Sequence, residues 1–297
     1  MVISKRHAIF TLAMFFYLAL PAWVSAAPID FSEVKKLALF SNASYYSAGT
    51  MSDIARFYHY NVQKHGNIDD AQIQYFLLRH SQSGKQLIVV RGTANVENVV
   101  VDASIKLVKD ELAHAYLHEG FAYGAKAVLN ALAPDLNRQT GIDITGHSLG
   151  GAVAVVLGMY LDSGGYRVDN LYTFGQPKVT NIPGSVKFAH LHILRFVTPD
   201  DLIPLVPPLD PMDLHNIDIY WHVGEEVILL PGQSYSRIGV LNSMLRATKI
   251  FSTELGEKNL VQHKMQTYLD AIESKQQQVE EVPFKGDITV QDLLKAF

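Results

Sequence analysis

The residues best placed to do chemistry are Gly146-His147-Ser148-Leu149-Gly150, followed by a further glycine, Gly151. An apolar, strand-like run (Gly141-Ile142-Asp143-Ile144-Thr145) leads into them, and a helix rich in small residues runs on from Leu149 to about Tyr160. A serine on so sharp a strand-to-helix turn has strained backbone angles, and glycine-sized neighbours let strand and helix pass closely. The turn pushes the hydroxyl out of the top of the sheet, within reach of a histidine. It also aims the first N–H groups of the helix at the place where an oxyanion would form. These are the parts of a serine nucleophile. The alternative is a tight turn with a structural serine, and the flanking strand and helix weigh against it.

A neutral hydroxyl is a poor nucleophile, so it needs a base, and the base needs an orienting acid. On a strand–turn–helix architecture these follow the serine in the order acid, then histidine. That order leaves His215, His222 and His263 among the twelve histidines. His222 sits inside a strand pattern (Tyr220-Trp221-His222-Val223), where a side chain is ordinarily spent on pairing. His215 lies beside the proline-rich Pro207–Pro211 stretch and stays open. His263 stands near the start of the last helical pattern, where a loop can bring it back over the sheet, and it is the preferred base. For the acid, Thr198-Pro199-Asp200-Asp201 follows a strand directly, and the carboxyl ends of parallel strands are where such sites assemble. Both aspartates stay open on this argument.

The elements that must position these groups read as an α/β chain. Phe31 to Tyr46 is an amphipathic opening helix, and Ile73–Arg79 and Lys85–Val90 are strands joined by hairpin chemistry at Ser81-Gln82-Ser83-Gly84. Phe121 to Leu132 is an alanine-rich helix ended by Pro134, and the helix after Ser148 stops at Ser163-Gly164-Gly165. Leu171–Phe174 and His192–Val197 are short strands. Ile219–Val223 and Glu226–Leu230 pattern as a late hairpin around Gly224-Glu225, and residues 259–274 as a last helix. Strands alternating with helices imply a mostly parallel central sheet with helices on both faces.

The bulk numbers narrow the class. Residues 1–26 have the charged, apolar, small-residue order of a signal peptide: Lys5, Arg6 and His7, then Ala8 to Leu20, then Val24-Ser25-Ala26. The apolar run is short for a bilayer crossing, so no stable membrane anchor is expected. Without that segment the formal charge moves from −4 to −6. An acidic surface with no basic cluster argues against nucleic acid and anionic membrane as partners. The chain has no cysteine, which excludes disulfides and thiolate chemistry, and an exported bacterial product fits both facts. The expected organisation is a signal peptide at 1–26, one catalytic domain at 27–274 and a polar tail at 275–297, in an exported protein, secreted or periplasmic.

Four motifs give this chain a relationship. They are Val90-Arg91-Gly92-Thr93; His118-Glu119-Gly120-Phe121; Gly146 to Gly151 with Thr173-Phe174-Gly175-Gln176-Pro177; and Arg195-Phe196-Val197-Thr198-Pro199-Asp200-Asp201-Leu202-Ile203-Pro204. In order and spacing the chain resembles the class 3 lipases, the fungal-lipase-like branch of the α/β-hydrolase fold, from about residue 30 to 273. The resemblance implies that the acid precedes an aliphatic pair and a proline, which selects Asp201 over Asp200. It implies a histidine opening a helix with a tyrosine five residues on, matching His263 and Tyr268. It implies oxyanion donors at Thr93 and at Leu149, the residue after the nucleophile. Ser148, Asp201 and His263 would then cleave carboxylic esters of lipids, of the triacylglycerol type, through an acyl-enzyme. No cofactor or metal is required.

The resemblance also implies a lid, a short amphipathic helix at Val96–Ala103 that covers the site and opens at a lipid–water interface. Val99 stands where the family usually has an aromatic, and three valines in a row form helix poorly, so the segment reads equally as packed core. A second apolar stretch, residues 240–251, is either a flap over the acyl pocket or a helix capping the sheet. Arg91 is expected to form a salt bridge under the sheet, His118 to be structural, and Asp102 and Glu119 to be surface or capping groups. A phospholipase A1 or a soluble carboxylesterase would carry the same chemistry. A catalytically silent hydrolase-fold binding protein is the reading from another class, and a broken triad would be its mark. Head group, acyl length and oligomeric state are not encoded in these patterns.

Overall fold

The structure is a computed structural model. It describes residues 27–92, 106–207, 219–239, 243, 246 and 257–284. The chain divides into a unit of residues 1–30, mostly outside the described set, and a unit of residues 31–297. Elements are numbered along the described residues of the larger unit.

Among the described residues its centre is a nine-stranded sheet in the order β1-β2-β3-β6-β7-β9-β11-β12-β13. β2 (Ile73–His80) and β3 (Gln86–Arg91) pair antiparallel, as their strand-like runs and the intervening turn predict. From β3 the sheet runs parallel through β6 (Ile142–His147), β7 (Val168–Phe174), β9 (Ile193–Val197) and β11 (Glu225–Leu229). The strands of this parallel centre are almost wholly buried, which fits their near-continuous apolar sequences. β1 (Tyr60–Ile68) closes one edge and is absent from the sequence reading. Its exposed positions carry Asn61, Gln63, His65 and Asn67 on an edge wetted by solvent, so its pattern is too polar to stand out.

The sheet carries helices on both faces. α3 (Glu119–Leu132) and α4 (Leu149–Ser163) pack on one face, against Ile88, Val90, Ile144 and Leu171. α1 (Phe31–Ala43) lies on the other face, where Thr145 Oγ1 reaches Leu37 O at 3.5 Å. α4 is buried from Gly150 to Leu161, and it is apolar all round because it lies in the core, covered by α3. The opening helix ends at Ala43 rather than Tyr46, and a second helix, α2 (Ala48–Phe57), follows with Ser47 as N-cap, its Oγ accepting from Thr50 N.

The late hairpin is not formed as expected. β10 (Tyr220–Trp221) joins a separate four-stranded sheet, β10-β8-β5-β4, pairing with β8 (Thr180–Asn181). That sheet also holds β4 (Leu107–Asp110) and β5 (Ala115–His118), and α5 (Ile182–Lys187) follows β8. The chain then crosses at residues 222–224, and β11 enters the main sheet and pairs instead with β12 (Ser234–Ile238). Two apolar runs around Gly-Glu look alike to a local rule. Partners about 40 residues back for β10 and about 30 for β11 decide where each run goes.

The last helix is also divided. α6 (Glu257–His263) stops, Lys264 takes an extended conformation (φ −64°, ψ 136°), and α7 (Met265–Glu273) begins. His263 therefore ends a helix rather than opening one. Beyond it, Lys275 is buried and its Nζ donates to the carbonyls of Leu230, Gly232 and Ala271. β13 (Glu280–Glu281) adds an edge strand beside β12. The residues from 285 lie outside the described set. No described helix is long and apolar enough to cross a membrane.

Candidate active site

The register of the parallel strands brings the site together. Arg91, His147, Phe174 and Phe196 stand side by side at the carboxyl ends of β3, β6, β7 and β9. Each is followed by a residue of the sequence motifs: Gly92, Ser148, Gly175, and Val197 leading to Asp201. Ser148 lies between β6 and α4 with φ 57° and ψ −131°, a region that side chains other than glycine rarely enter. Its N–H donates to Phe174 O at 2.9 Å, which helps hold the strained turn. The turn also depends on missing side chains. A Cβ on Gly150 would lie 2.3 Å from Val90 O and 2.5 Å from Gly92 N. Strand β3 and the start of α4 are therefore in direct backbone contact.

Ser148, His263 and Asp201 form one chain of hydrogen bonds. His263 Nε2 lies 2.8 Å from Ser148 Oγ, and His263 Nδ1 lies 2.7 Å from Asp201 Oδ2. Asp201 is gripped from other sides as well: Tyr268 O–H donates to Oδ2 at 2.5 Å and Ile203 N–H to Oδ1 at 2.9 Å. Burial raises the pKa of the Asp201 carboxyl. The facing His263 charge and the bonds from His263, Tyr268 and Ile203 outweigh it and hold the group below the usual carboxylate range. Tyr268 moves the other way: burial, then the Asp201 charge, keep its hydroxyl protonated far above the ordinary phenol range. All three members of the chain are at most 1% exposed. Asp200, its neighbour in sequence, is exposed, and its carbonyl accepts from Asn259 Nδ2 at 2.9 Å.

The loop that carries the acid is tied to the helix that carries the histidine. Thr198 Oγ1 donates to Gln262 O at 3.1 Å, one residue before His263. Arg246 Nη2 donates to Thr198 O and Pro199 O at 3.0 and 3.3 Å. Arg246 and Arg195 share the buried carboxylate of Glu226 on opposite oxygens. Behind the same loop, Lys178 Nζ donates to Leu205 O and Pro207 O at 2.7 and 2.6 Å.

The other sequence candidates fall elsewhere. His222 is half-buried with Nε2 2.6 Å from Pro204 O, behind the acid loop and not at Ser148. Burial, then Arg195 and Lys178, hold it neutral. His118 caps α3, its Nδ1 accepting from Phe121 N at 3.4 Å, and burial lowers its pKa to about 4. Glu119 is exposed and pairs with Lys106 at 3.1 Å. The salt bridge expected at Arg91 is not seen among the described residues, where Arg91 Nε has no partner. The buried ion pairs near the site belong to Arg195, Glu226 and Arg246 instead. Thr93, Asp102, His215, the segment 96–103 and most of 240–251 lie outside the described residues.

Leu149 is the first residue of α4, a 15-residue helix, so its N–H has no partner within the helix and points out at the amino end beside Ser148. Among the described residues no group of three or more carboxylate, imidazole or thiol side chains could hold a metal ion.

A sequence model of the lipases of class 3 matches residues 87–210. Over those residues the chain carries the sequence pattern of the class 3 lipase family. A secreted mono- and diacylglycerol lipase of Fusarium solani is 34% identical over 152 residues, which is 46% of this chain and 44% of that enzyme. A lipase of Rhizomucor miehei is 31% identical over 151 residues, covering 45% and 40% of the two chains. The matched stretch thus spans less than half the length of these curated relatives. The crystal structure of a lipase from Rhizopus microsporus var. chinensis superposes with a TM-score of 0.60 at 24% identity, over 69% of this chain and 76% of that one. The chain has the α/β-hydrolase fold expected from its motifs.

Two groups close to the site escaped the sequence reading. Tyr45 Oη lies 2.8 Å from His147 Nδ1, and His147 Nε2 lies 2.7 Å from His263 O. The acid–histidine order discards any histidine before the serine, so it could not find His147. Tyr45 is about a hundred residues away in sequence and follows α1, where nothing marks it as polar machinery.

Proposed function

We propose that this lipase-family chain hydrolyses carboxylic esters of lipids, with Ser148 as nucleophile, His263 as general base and acid, and Asp201 as the group that orients and stabilises the imidazolium. The observation that carries the proposal is the unbroken chain from Asp201 through His263 to Ser148, at 2.7 and 2.8 Å. Both contacts have the geometry that proton transfer requires before substrate arrives. His263 Nδ1–H donates to Asp201, which leaves Nε2 free to take the Ser148 proton as Oγ attacks the ester carbonyl. The negative oxygen of the tetrahedral intermediate would then sit at the amino end of α4, against the N–H of Leu149. Thr93, directly after the Gly92 that touches Gly150, is proposed as the second donor. Loss of one such donor costs on the order of 10²–10³ in kcat. His263 next protonates the departing alcohol, and water, deprotonated by the same nitrogen, releases the acid.

Acylglycerols are the proposed substrates, because the Fusarium solani relative is named for mono- and diacylglycerols. That relative is also named as secreted, in keeping with a signal peptide at residues 1–26 and export of this chain. The test is hydrolysis of acyl esters from short to long, below and above their solubility limits, with Ser148→Ala as control. The reading expects that control to lose at least about 10³-fold in kcat. A rate that jumps above the limit with long chains supports a lipase that works at an interface. A smooth preference for short soluble esters makes the protein a carboxylesterase, and release of the sn-1 fatty acid from phospholipid makes it a phospholipase A1. An equal rate with Ser148→Ala would refute the assignment of the nucleophile.

A further inference from the structure

His147 stands directly before the nucleophile, and chain order gives it no place in an acid–base–serine relay. Its ring is nevertheless turned toward His263. It is 3% exposed, and its centroid lies 4.7 Å from the His263 ring and 5.9 Å from that of Tyr268.

The tautomer follows from the partners. A carbonyl oxygen can only accept, so His147 Nε2 carries the proton that reaches His263 O at 2.7 Å. Nδ1 is then the acceptor, and it takes the Tyr45 hydroxyl proton at 2.8 Å. Burial, and after it the neighbouring His263, lower the pKa of His147 to about 3, so the ring is neutral at any working pH. Burial outweighs the nearby Arg91 charge and raises the Tyr45 hydroxyl above the ordinary phenol range, so that donor too stays protonated.

The accepting carbonyl is one that the helix cannot satisfy. In a continuous helix the N–H of Thr267 would bond His263 O. Here Lys264 is extended, and Thr267 N–H donates to Lys264 O at 2.9 Å instead. His263 O is left as a buried acceptor at a broken helix end, where an unmet carbonyl is costly. His147 supplies the missing donor.

We propose that His147, with its tautomer set by Tyr45, is a positioning residue that fixes the backbone and ring of His263. Asp201 holds the imidazole at Nδ1, and His147 holds the same residue at its carbonyl, so the ring has little freedom to swing away from Ser148. The neutrality of His147 serves the chemistry as well. A second charge 4.7 Å away would oppose the imidazolium that His263 becomes during turnover. The inference rests on the proposed roles of Ser148, His263 and Asp201.

The test compares His147→Gln, His147→Asn and Tyr45→Phe, measured on a soluble short-chain ester and by the rate of labelling with a fluorophosphonate. A glutamine amide nitrogen reaches the place of Nε2, whereas that of asparagine stops near Nδ1. The glutamine variant is expected to keep kcat within about threefold of wild type. The asparagine variant should lose about 10- to 100-fold in kcat with KM within about twofold, as a small misplacement of a reacting group does. Labelling should fall in parallel. Equal rates in the two folded amide variants, whether both high or both low, overturn the proposal. If neither amide variant folds, Tyr45→Phe decides: a fall of about fivefold or more in kcat at constant KM supports the proposal, and an unchanged kcat overturns it. A wild-type chain that is neither labelled nor turns over ester defeats the serine-hydrolase reading itself, which no variant at 147 would do.

Discussion

A single added methyl group at Gly175 should disable the site from behind. Gly175 follows β7 with φ 59°, and a Cβ there would lie 2.8 Å from His263 Cε1 and 2.9 Å from both His263 Nδ1 and Asp201 Oδ2. Ordinary contacts at those atoms begin near 3.4 Å. The imidazole and the carboxylate must therefore each retreat by about half an ångström, or Gly175 must move. Neither retreat is easy. Asp201 is held by Tyr268 and Ile203, and His263 through its carbonyl by His147. Gly175 N–H is itself bonded to Phe196 O at 3.0 Å. In Gly175→Ala the positive φ alone costs roughly 1–2 kcal/mol, and overpacking adds roughly 1–3 kcal/mol. A total near ~3 kcal/mol lowers the melting temperature of a domain of this size by about 6–12 °C. The damage to activity should be larger than the damage to folding, because the overlap falls on the Asp201–His263 contact. Turnover of a soluble ester below the melting point should drop about 10²-fold in kcat, with little change in KM. Calorimetry and steady-state kinetics on the purified protein measure both. An alanine variant with wild-type kcat and melting temperature would refute the claim that Gly175 is required by the histidine–acid pair.

The buried ion cluster gives a second expectation. Glu226→Gln leaves Arg195 and Arg246 facing each other in a dry interior, a type of change that costs about 3–5 kcal/mol, and urea denaturation should show it as a lowered midpoint. Burial pushes the pKa of Glu226 up, and the two guanidinium groups pull it below the usual range, so the carboxylate contributes stability above its unfolded pKa and loses it as pH falls through the folded one. The gap between wild type and Glu226→Gln should therefore narrow in strong acid. Lys178 works in the opposite sense on pH. Burial lowers its pKa to about 7 from 10.5, so between those values the unfolded chain binds more protons and stability rises with pH. In Lys178→Met that rise should flatten when melting temperatures are compared at pH 7 and pH 9.5. An unchanged slope would show that the amine is not held neutral.

The layout of the candidate site was legible in the sequence where it is local. Gly146 to Gly151 between a strand and a helix, and an aspartate directly after β9, name their own geometry, because a turn of fixed length places them. The same holds for β2, β3, α3 and α4, whose apolar stretches match their burial. Selecting Asp201 over Asp200 took the resemblance to a family, whereas chain order and the last helical pattern already favoured His263 over His215 and His222. The exposure of Asp200 and the burial of Asp201 arise from how one loop packs, which composition does not record. Where a residue's state depends on distant partners, the patterns misled. β10 and β11 look like one hairpin and belong to two sheets. The last helix looks continuous and breaks at Lys264, since the break lets His263 face Ser148 and its carbonyl meet His147. Tyr45, His147, Lys178, Arg195, Glu226 and Arg246 are polar groups in an apolar interior, and each is tolerated only because the fold supplies a partner at hydrogen-bond range. The sequence by itself determined the sharp turn at Ser148 and the alternation of strands and helices, since both follow from neighbours within a few residues. Only the tertiary structure decided which acid meets which base and what holds them there, because contacts between residues 45, 147, 201 and 263 exist only once the sheet is assembled.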